Sequence, residues 1–541
     1  MHVRIILVTL FKKSGVTALD TNVLPHQFVI SENVTIDYLD SANSLEQVFS
    51  KHFRAPSIRE FDVDRQKLVN KLLSYNQKRD APQQVIQNID SLSQRETYAV
   101  MTGQQPGVFS GPLYTVYKAI SAIVLCEKMS NRKHSFVPIF WNASEDHDLS
   151  EIDHVGIFRQ NEPLEIRYNY RSRRVAFSHM TLDKSELKKM LEIIEDVSPD
   201  SEFKAPLLRE IDEIIQRSST ISDFFSRFML YLFGELGLIL VEPQPLRDLL
   251  TPVFEKLIRD PTECTRILNE EGFRLERLGY SPKIHKKSDL CNFFVLNKEG
   301  KRLPVKYNGK FQITDKTYSE TELIRLLYAD PSKFSANAVT RPIIQDFLFP
   351  TFAYVAGPNE IAYQAQLRGI YDFFGLEMPV IFPRFGATIV EKKVSKIISK
   401  YEIGIPELRE PEKVMKKLVK ENIDDIFDSF RNEVSRGVGE VTRQAESIDE
   451  TLIRSCFLAR GRIFKTIDAL EDKIAAKLKN QDSVMRQQVA KAHNNLFPYG
   501  DLQERKINVL EYLMKFGKGF LTVIEKKFSE TDYGEHAVIY C

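Results

Sequence analysis

Zinc-type cysteine spacing is missing from this chain. Its five cysteines (Cys126, Cys264, Cys291, Cys456 and Cys541) stand far apart in 541 residues. None belongs to a C-x-x-C or Cys/His cluster, so no metal is expected. An odd count without secretory context points to a reducing compartment. Long apolar runs are missing too, since nothing approaches the roughly 18 residues of a membrane span. The run Ile5 to Phe11 lacks a small-residue cleavage site after it, so no signal peptide is read there. The expected location is the cytoplasm. Net charge is nearly absent: Lys+Arg 75 against Asp+Glu 74 leaves +1, which gives no global field for nucleic acid. Neither G-x-G-x-x-G nor a Walker loop ending in G-K-[ST] occurs.

What is present describes a soluble globular protein with a large core, 43% hydrophobic and 28% charged, long enough for more than one domain. One stretch organises it, Tyr98 to Ile123. Tyr98-Ala99-Val100-Met101 reads as a buried parallel strand. A loop with Gly103, Pro106, Gly107, Gly111 and Pro112 follows. Leu113, Val116, Tyr117, Ile120, Ile123 and Val124 then fall at helical spacing. Strand, glycine-rich loop and helix place backbone N–H groups and a helix N-terminus at the carboxyl end of a strand, which suits phosphate or carboxylate. A tight strand-to-helix turn with no ligand fits the same residues.

A second strand, Phe136 to Trp141, ends in Asn142-Ala143-Ser144-Glu145-Asp146-His147-Asp148. The order strand, helix, strand implies a right-handed βαβ unit with both strand ends on one edge. Four consecutive ionisable residues there resist burial without partners. They suit recognition of an ammonium, or acid/base work by His147 with a carboxylate. The plain alternative is an N-cap with an acidic first turn; beside the glycine loop, the functional reading is preferred.

Elsewhere, Val34 to Leu39 alternates like a strand, Ser44 to Ser50 and Ile58 to Ala81 read as helices, and Pro82 opens another. Ile166, Tyr168 and Tyr170 alternate with Glu165, Arg167 and Asn169, and a helix is read from Asp183 to Asp196. Ile221 to Leu236 is an aromatic-rich core helix, and Gly237 to Pro243 a third parallel strand. Residues 280–315 read as an antiparallel insertion. Ser335-Ala336-Asn337 reads as a loop, and Arg341-Pro342 opens a helix containing Gln345 and Asp346. Phe352 to Ala356, Gly357-Pro358-Asn359-Glu360 and Ile361 to Phe374 repeat the strand, turn, helix unit. Met378 to Pro383 is a further strand ending at Arg384, which is either an anion clamp or an ion pair with Glu360 or Glu391. Beyond Glu391, Val414, Leu418, Ile423, Ile426, Phe430, Val434, Ile448, Leu452, Ile463, Ile467, Leu470, Ile474 and Leu478 form a helical stripe. It reads as two long antiparallel helices in a coiled coil, with Gly437 and Gly439 as possible breaks. After Leu496 to Asp501, the run Gln503-Glu504-Arg505 could return a polar patch to the core. Asn508, Val509, Tyr512 and Met514 continue as a helix, and Ala537 to Cys541 is a last strand.

Five stretches together resemble one family: TGQQPGVFSGPLYTVYKAISAI, PIFWNASEDHDLSEIDH, FSANAVTRPIIQDFLFPTFAYVAGPNEIAYQAQL, MPVIFPRFGATIVE and LFPYGDLQERKIN. Their order, the chain length and the helical arm resemble BshC, the cysteine-adding enzyme family of bacillithiol biosynthesis, over nearly the whole chain. The resemblance implies an α/β fold: a Rossmann-like parallel-sheet core, like class I nucleotidyltransferases, with two connecting insertions and a long antiparallel coiled-coil arm. The implied core pieces are 1–160, 221–260 and 336–395, the insertions 161–220 and 261–335, the arm 396–492, and a returning C-terminal segment 493–541.

The implied reaction joins the cysteine carboxylate to the amine of glucosaminyl malate, with ATP expected and the arm supporting a homodimer. No nucleic acid or membrane partner is implied. Unlike related ligases, the chain lacks His-x-Gly-His and Lys-Met-Ser-Lys-Ser loops. Gly103-Gln104-Gln105-Pro106-Gly107 and Arg384-Phe385-Gly386-Ala387-Thr388 stand near their places. On this basis His147 is the expected general base, with Glu145, Asp146 and Asp148 around it; Asp146 and Asp148 hold an ammonium or sugar hydroxyl. Gly103, Gln104, Gln105, Gly107, Gly111 and Tyr114 bind an anionic group. Asn359 and Gln366 read the sugar acid, Arg384 holds malate or phosphate, and Gln503 and Arg505 meet the nucleotide. The competing reading is a non-catalytic, nucleotide-binding coiled-coil scaffold on a decayed ligase core.

Overall fold

The computed structural model describes residues 23–41, 45–46, 48–58, 61, 63–170, 175–481 and 483–541, leaving aside the side chains of 419–425 and 478–481. The apolar run Ile5 to Phe11 and parts of the helices expected from Ser44 and from Ile58 lie outside these residues.

Thr97–Gln104 (β1) is buried at every position but its last, as a strand covered on both faces must be. Its companions are Ser135–Asn142 (β2), Ile239–Val241 (β3), Thr351–Ala356 (β4) and Val380–Pro383 (β5). They form one sheet in the order β5-β4-β1-β2-β3, with every pairing parallel. The chain runs outward from β1 to β3, then returns to the other side of β1 for β4 and β5. The carboxyl ends of β1 and β4 therefore flank the switch point where ligands bind in open α/β sheets.

Leu113–Met129 (α1) crosses from β1 to β2. Thirteen of its residues are buried, because the sheet covers one side and the helix Gly519–Glu530 the other. Ile221–Phe233 (α2) leads into β3. Arg341–Leu348 (α3) and Pro358–Gln364 (α4) flank β4. Between β2 and α2 the chain forms an antiparallel hairpin, His154–Arg159 with Glu162–Arg167, and the helices Lys184–Val197 and Lys204–Arg217. Between β3 and α3 it forms an antiparallel sheet including Leu290–Leu296 and Arg302–Tyr307.

Several local expectations change. Val48 to Ser50 turn rather than continue a helix, the helix expected over Ile58 to Ala81 is confined, among the described residues, to Arg65–Gln77, and the one expected over Ile361 to Phe374 divides into Pro358–Gln364 and Arg368–Phe374. Val34 to Leu39 lies in a helix, Asn33–Leu39, because Val34, Thr35, Tyr38 and Leu39 bury one helical face. Ser335 and Ala336 lie in a strand, Phe334–Ala336, paired with Leu290–Leu296. Asn508 stands between the helices Gln503–Lys506 and Leu510–Phe516 rather than inside one.

Contacts divide the chain into two compact units, Asn22–Thr388 with Gln503–Ile539, and Ile389–Leu502 with Tyr540–Cys541. The second holds the long helices Pro411–Ile448 (α5), Leu452–Gln481 (α6) and Ser483–Leu496 (α7). Helices α5 and α6 pack together, and Gly437 and Gly439 interrupt nothing. Only part of the expected stripe is buried. Val414, Leu418 and Ile467 are inside with Phe427 and Ala475, whereas Ile426, Phe430, Ile448, Leu452, Ile463, Leu470 and Ile474 are exposed. Two helices bury a narrow line, so the rest of a wide stripe faces out. Arg431 ties the pair across the seam to Asp468 at 2.9 Å and to Glu471. No described helix is long and apolar enough to cross a membrane.

Candidate functional site

A cleft of about 610 Å³ opens at the switch point. Its floor is the strand ends Gly103 and Gln104 of β1 and Gly357 after β4. Gly103 is required there, because a Cβ would lie 2.6 Å from the Trp141 carbonyl oxygen on β2. Lys118 rises from α1 beneath the floor. Its Nζ donates to the Gly103 carbonyl at 2.8 Å, to Gln104 Oε1 at 2.9 Å and to Glu360 Oε2 at 2.6 Å. Glu360 also accepts from the Gly357 N–H at 2.7 Å and the Tyr354 hydroxyl at 3.1 Å. Burial opposes the charge of Glu360, but Lys118, the Gly357 N–H and Arg341 together hold the carboxyl below its ordinary range. The pair thus ties the end of β1 to the turn after β4.

One wall is acidic. Asp146 Oδ2 accepts from Gln105 Nε2 at 2.7 Å, and its Oδ1 from the His147 N–H at 2.8 Å. Arg302 lies 3.6 Å away. Burial would raise the Asp146 carboxyl, yet these hydrogen bonds and Arg302 leave it lowered. Glu151 lines the same wall. Its carboxyl is pushed up by partial desolvation and by the carboxylates of Asp148 and Asp146. Arg341, Gln345 and Tyr363 from α3 and α4 also line the cleft, as do Arg384, Arg505 and Lys506. Arg384 makes a bidentate pair with Glu504, at 2.5 and 3.0 Å. Its partner is therefore neither Glu360 nor Glu391.

Of the residues singled out in the sequence, Gly103, Gln104, Gln105, Tyr114, Asp146, Asn359, Arg384 and Arg505 meet in this cleft. Others lie apart from it. Glu145 is buried against Arg247, at 2.9 and 2.6 Å, and accepts from Ser335. The burial that its charge opposed is made possible by that guanidinium. Asp148 caps the turn Leu149–Glu151 through Ser150. The His147 ring is 43% exposed, and its Nδ1 stands 3.8 Å from Asp146. Gln366 is fully buried and bonds the backbone of Lys283 and Ile284. Gln503 is buried.

Gly107 and Gly111 lie in a closed turn. The N–H groups of Gly107, Val108 and Gly111 donate to Gln105, Ile152 and Val108. Gly111 has φ +71° and ψ −160°, a region open to glycine alone. The segment is thus a buried turn whose N–H groups are occupied, which is why the cleft meets only its first residues. Lys118, Arg341, Gln345 and Glu151 are cleft residues that pattern reading passed over. A lysine inside the otherwise apolar α1 was the available signal for the first. Among the described residues, no group of three or more His, Cys, Asp or Glu could hold a metal ion.

Residues 6–385 match the family model "Bacillithiol biosynthesis BshC, N-terminal Rossmann-like domain", and residues 387–541 match "Bacillithiol biosynthesis BshC, C-terminal coiled-coil domain". A relative from Salinibacter ruber (strain DSM 13855 / M31), named "Putative cysteine ligase BshC", is 33% identical over 490 residues, covering 88% of this chain and 89% of its own. A relative of the same name from Bacillus cereus (strain AH820) is 31% identical over 535 residues, covering 94% and 98%. A solved structure titled as a putative arginyl tRNA synthetase from Campylobacter jejuni aligns at a TM-score of 0.23 and 9% identity, over 87% of this chain and 98% of that one. That likeness is too low to bear on the fold. With two family models spanning the parallel-sheet unit and the helical arm, the chain belongs to the bacillithiol biosynthesis BshC family and is a ligase enzyme.

Proposed function

We propose that this enzyme forms the amide between the carboxylate of cysteine and the amine of glucosaminyl malate, with ATP activating the carboxylate. The observation that carries the reading is the cleft itself. At the carboxyl edge of the sheet it brings together carboxylates suited to amines, Asp146 and Glu151, and cations suited to carboxylates, Arg341, Arg384, Arg505 and Lys506. Amide formation from a free carboxylate is uphill, and bound ATP supplies the leaving group that it lacks. Arg505 and Lys506 bring cationic side chains to the cleft, the chemistry a phosphate chain requires. Asp146, oriented by Gln105, receives an ammonium or a sugar hydroxyl. Asn359 and Arg384 face the sugar acid.

The attacking amine must lose a proton. In this reading His147 is the base from outside the cleft lining, 3.8 Å from Asp146, and Glu151, a cleft residue with a raised carboxyl, is the second group placed to take the proton. The test is thiol analysis of a host lacking its own cysteine-adding enzyme. The wild-type chain is expected to restore the cysteinyl-glucosamine-malate thiol. His147→Ala or Glu151→Gln is expected to lower its formation by roughly a hundredfold or more, the usual scale for a lost general base. Accumulation of glucosaminyl malate with no thiol from the wild-type chain overturns the proposal. Unchanged formation by one variant removes that residue from the base role.

A further inference from the structure

Among the described residues, one guanidinium of the cleft forms no ion pair with a carboxylate, although Glu360, Asp146 and Glu151 lie within its Coulombic reach. Lys118 has acceptors for all three of its protons. The Arg384 guanidinium is held by Glu504 and the Phe385 carbonyl. Arg302 lies against Asp146 and donates to the Ala336 carbonyl. The guanidinium of Arg341, at the first turn of α3, instead has a single hydrogen-bond partner among the described residues, the Tyr363 hydroxyl at 3.2 Å. One turn further along the same face, Gln345 lines the cleft. Its side chain is only 2% exposed, and its Nε2 has no partner among the described residues. A buried amide nitrogen left unmatched is costly, so its place at a ligand wall points to a missing acceptor.

The neighbours decide what that acceptor belongs to. Arg341 is within Coulombic reach of both Asp146 and Glu151. A guanidinium and an amide donor that line one cleft with two carboxylates match a molecule carrying both charges on groups bonded to one carbon. We propose that Arg341 and Gln345 bind the α-carboxylate of an amino acid whose α-ammonium lies against Asp146 and Glu151. The inference rests on the ligase reading and extends it by naming the cysteine subsite. Arg341 gives a planar fork that pairs with both carboxylate oxygens, and Gln345 adds a neutral donor beside it. Holding the carboxylate by two residues of one helix fixes which of its faces is open to activation. The sugar acid is left to other residues of the cleft.

Isothermal titration calorimetry with the full chain tests this using three probes: L-cysteine, cysteamine, which lacks the carboxylate, and malate. The wild type is expected to bind L-cysteine about tenfold or more tighter than cysteamine, the scale of a charge-assisted pair. Arg341→Met and Gln345→Met are expected to remove that preference while leaving cysteamine affinity unchanged. Arg341→Lys, which keeps charge but not the fork, should recover only part of it. Equal affinity of the wild type for L-cysteine and cysteamine overturns the proposal without any variant having to fold. Loss of malate binding with L-cysteine binding retained in Arg341→Met also overturns it and gives the carboxylate to the sugar acid. The reaction is judged separately: carboxylate-dependent L-cysteine binding without thiol product fails the ligase reading but keeps the subsite. Thiol formation with an unaltered cysteine KM in Arg341→Met does the reverse.

Discussion

Lys118 and Glu360 are an ion pair taken almost fully out of water, with side chains 4% and 16% exposed. Such pairs add little net stability, yet removing one partner strands the other charge and costs roughly 3–5 kcal/mol. Lys118→Met is therefore expected to lower the chemical-denaturation midpoint strongly, and Lys118→Met with Glu360→Gln to recover part of the loss. Additive losses in that cycle would show that the two side chains act independently. A second buried group sets a pH dependence. His536 is enclosed, its Nε2 lies 2.8 Å from Thr388 Oγ1, and burial pushes its pKa down to about 4. A histidine in the unfolded chain titrates near 6.5, so the unfolded state binds the extra proton between the two values. Stability is then full above about pH 6.5 and falls as pH drops towards 4, by roughly 3 kcal/mol in total. His26 and His179 are also lowered by burial and add slope of the same sign. His536→Asn should flatten the pH profile of thermal unfolding over this interval without abolishing it. An unchanged slope would place the effect elsewhere.

The turn between β1 and α1 depends on a segment far along the chain. Asn508 Nδ2 donates to the Phe109 carbonyl at 2.8 Å and the Gly111 carbonyl at 2.6 Å, while the Leu113 N–H donates to Ile507. Phe109 and Ser110 have φ of +49° and +76°, conformations that persist only when the surroundings enforce them. Asn508→Ala leaves the Phe109 carbonyl without this donor and the Gly111 carbonyl with only the Ser110 hydroxyl at 3.5 Å, and is expected to cost about 1–3 kcal/mol in urea unfolding, the scale of an unsatisfied buried group. A loss below about 0.5 kcal/mol would mean that the turn holds itself. Nothing around Gly103 to Gly111 announces Asn508, whose side chain is displaced by some four hundred positions. This is why the turn was read as an anion loop: glycine content is local, and hydrogen-bond occupancy is not. The parallel strands were legible because continuous apolar runs are what two-sided burial demands. Val34 to Leu39 was not, since six residues fit periods of 2 and 3.6 about equally and packing decided. In the cleft, strand ends followed from the pattern, whereas Arg341 and Gln345 looked like ordinary polar residues of a half-buried helix.

At the scale of the whole molecule, the arm exposes far more apolar surface than a two-helix hairpin needs. Ile448 is 80% exposed, Ile426 69%, Phe457 61% and Val441 60%, and all four lie on α5 or α6. Isolated exposed apolar side chains are ordinary, but repeated ones along a pair of long helices suit a surface for another chain, an expectation that the mass in solution tests. At 1.5 Å per residue, the 38 residues of α5 extend about 57 Å. That length leaves room for the roughly 1,200–2,000 Å² of a stable interface. The occupant expected is a second copy, because a homodimer lets the same stripe bury itself by symmetry. Light scattering on the full chain should return twice the mass of one protomer. Val441→Glu with Phe457→Glu replaces exposed residues by a good helix former, so each helix is retained, and the mass should fall to that of one protomer. Thermal unfolding of the parallel-sheet unit should stay within about 0.5 kcal/mol of the wild type, as for substitutions away from the core. A monomeric wild type, or a variant that remains dimeric, would remove the arm from the assembly and leave its apolar stripe for a partner of another kind.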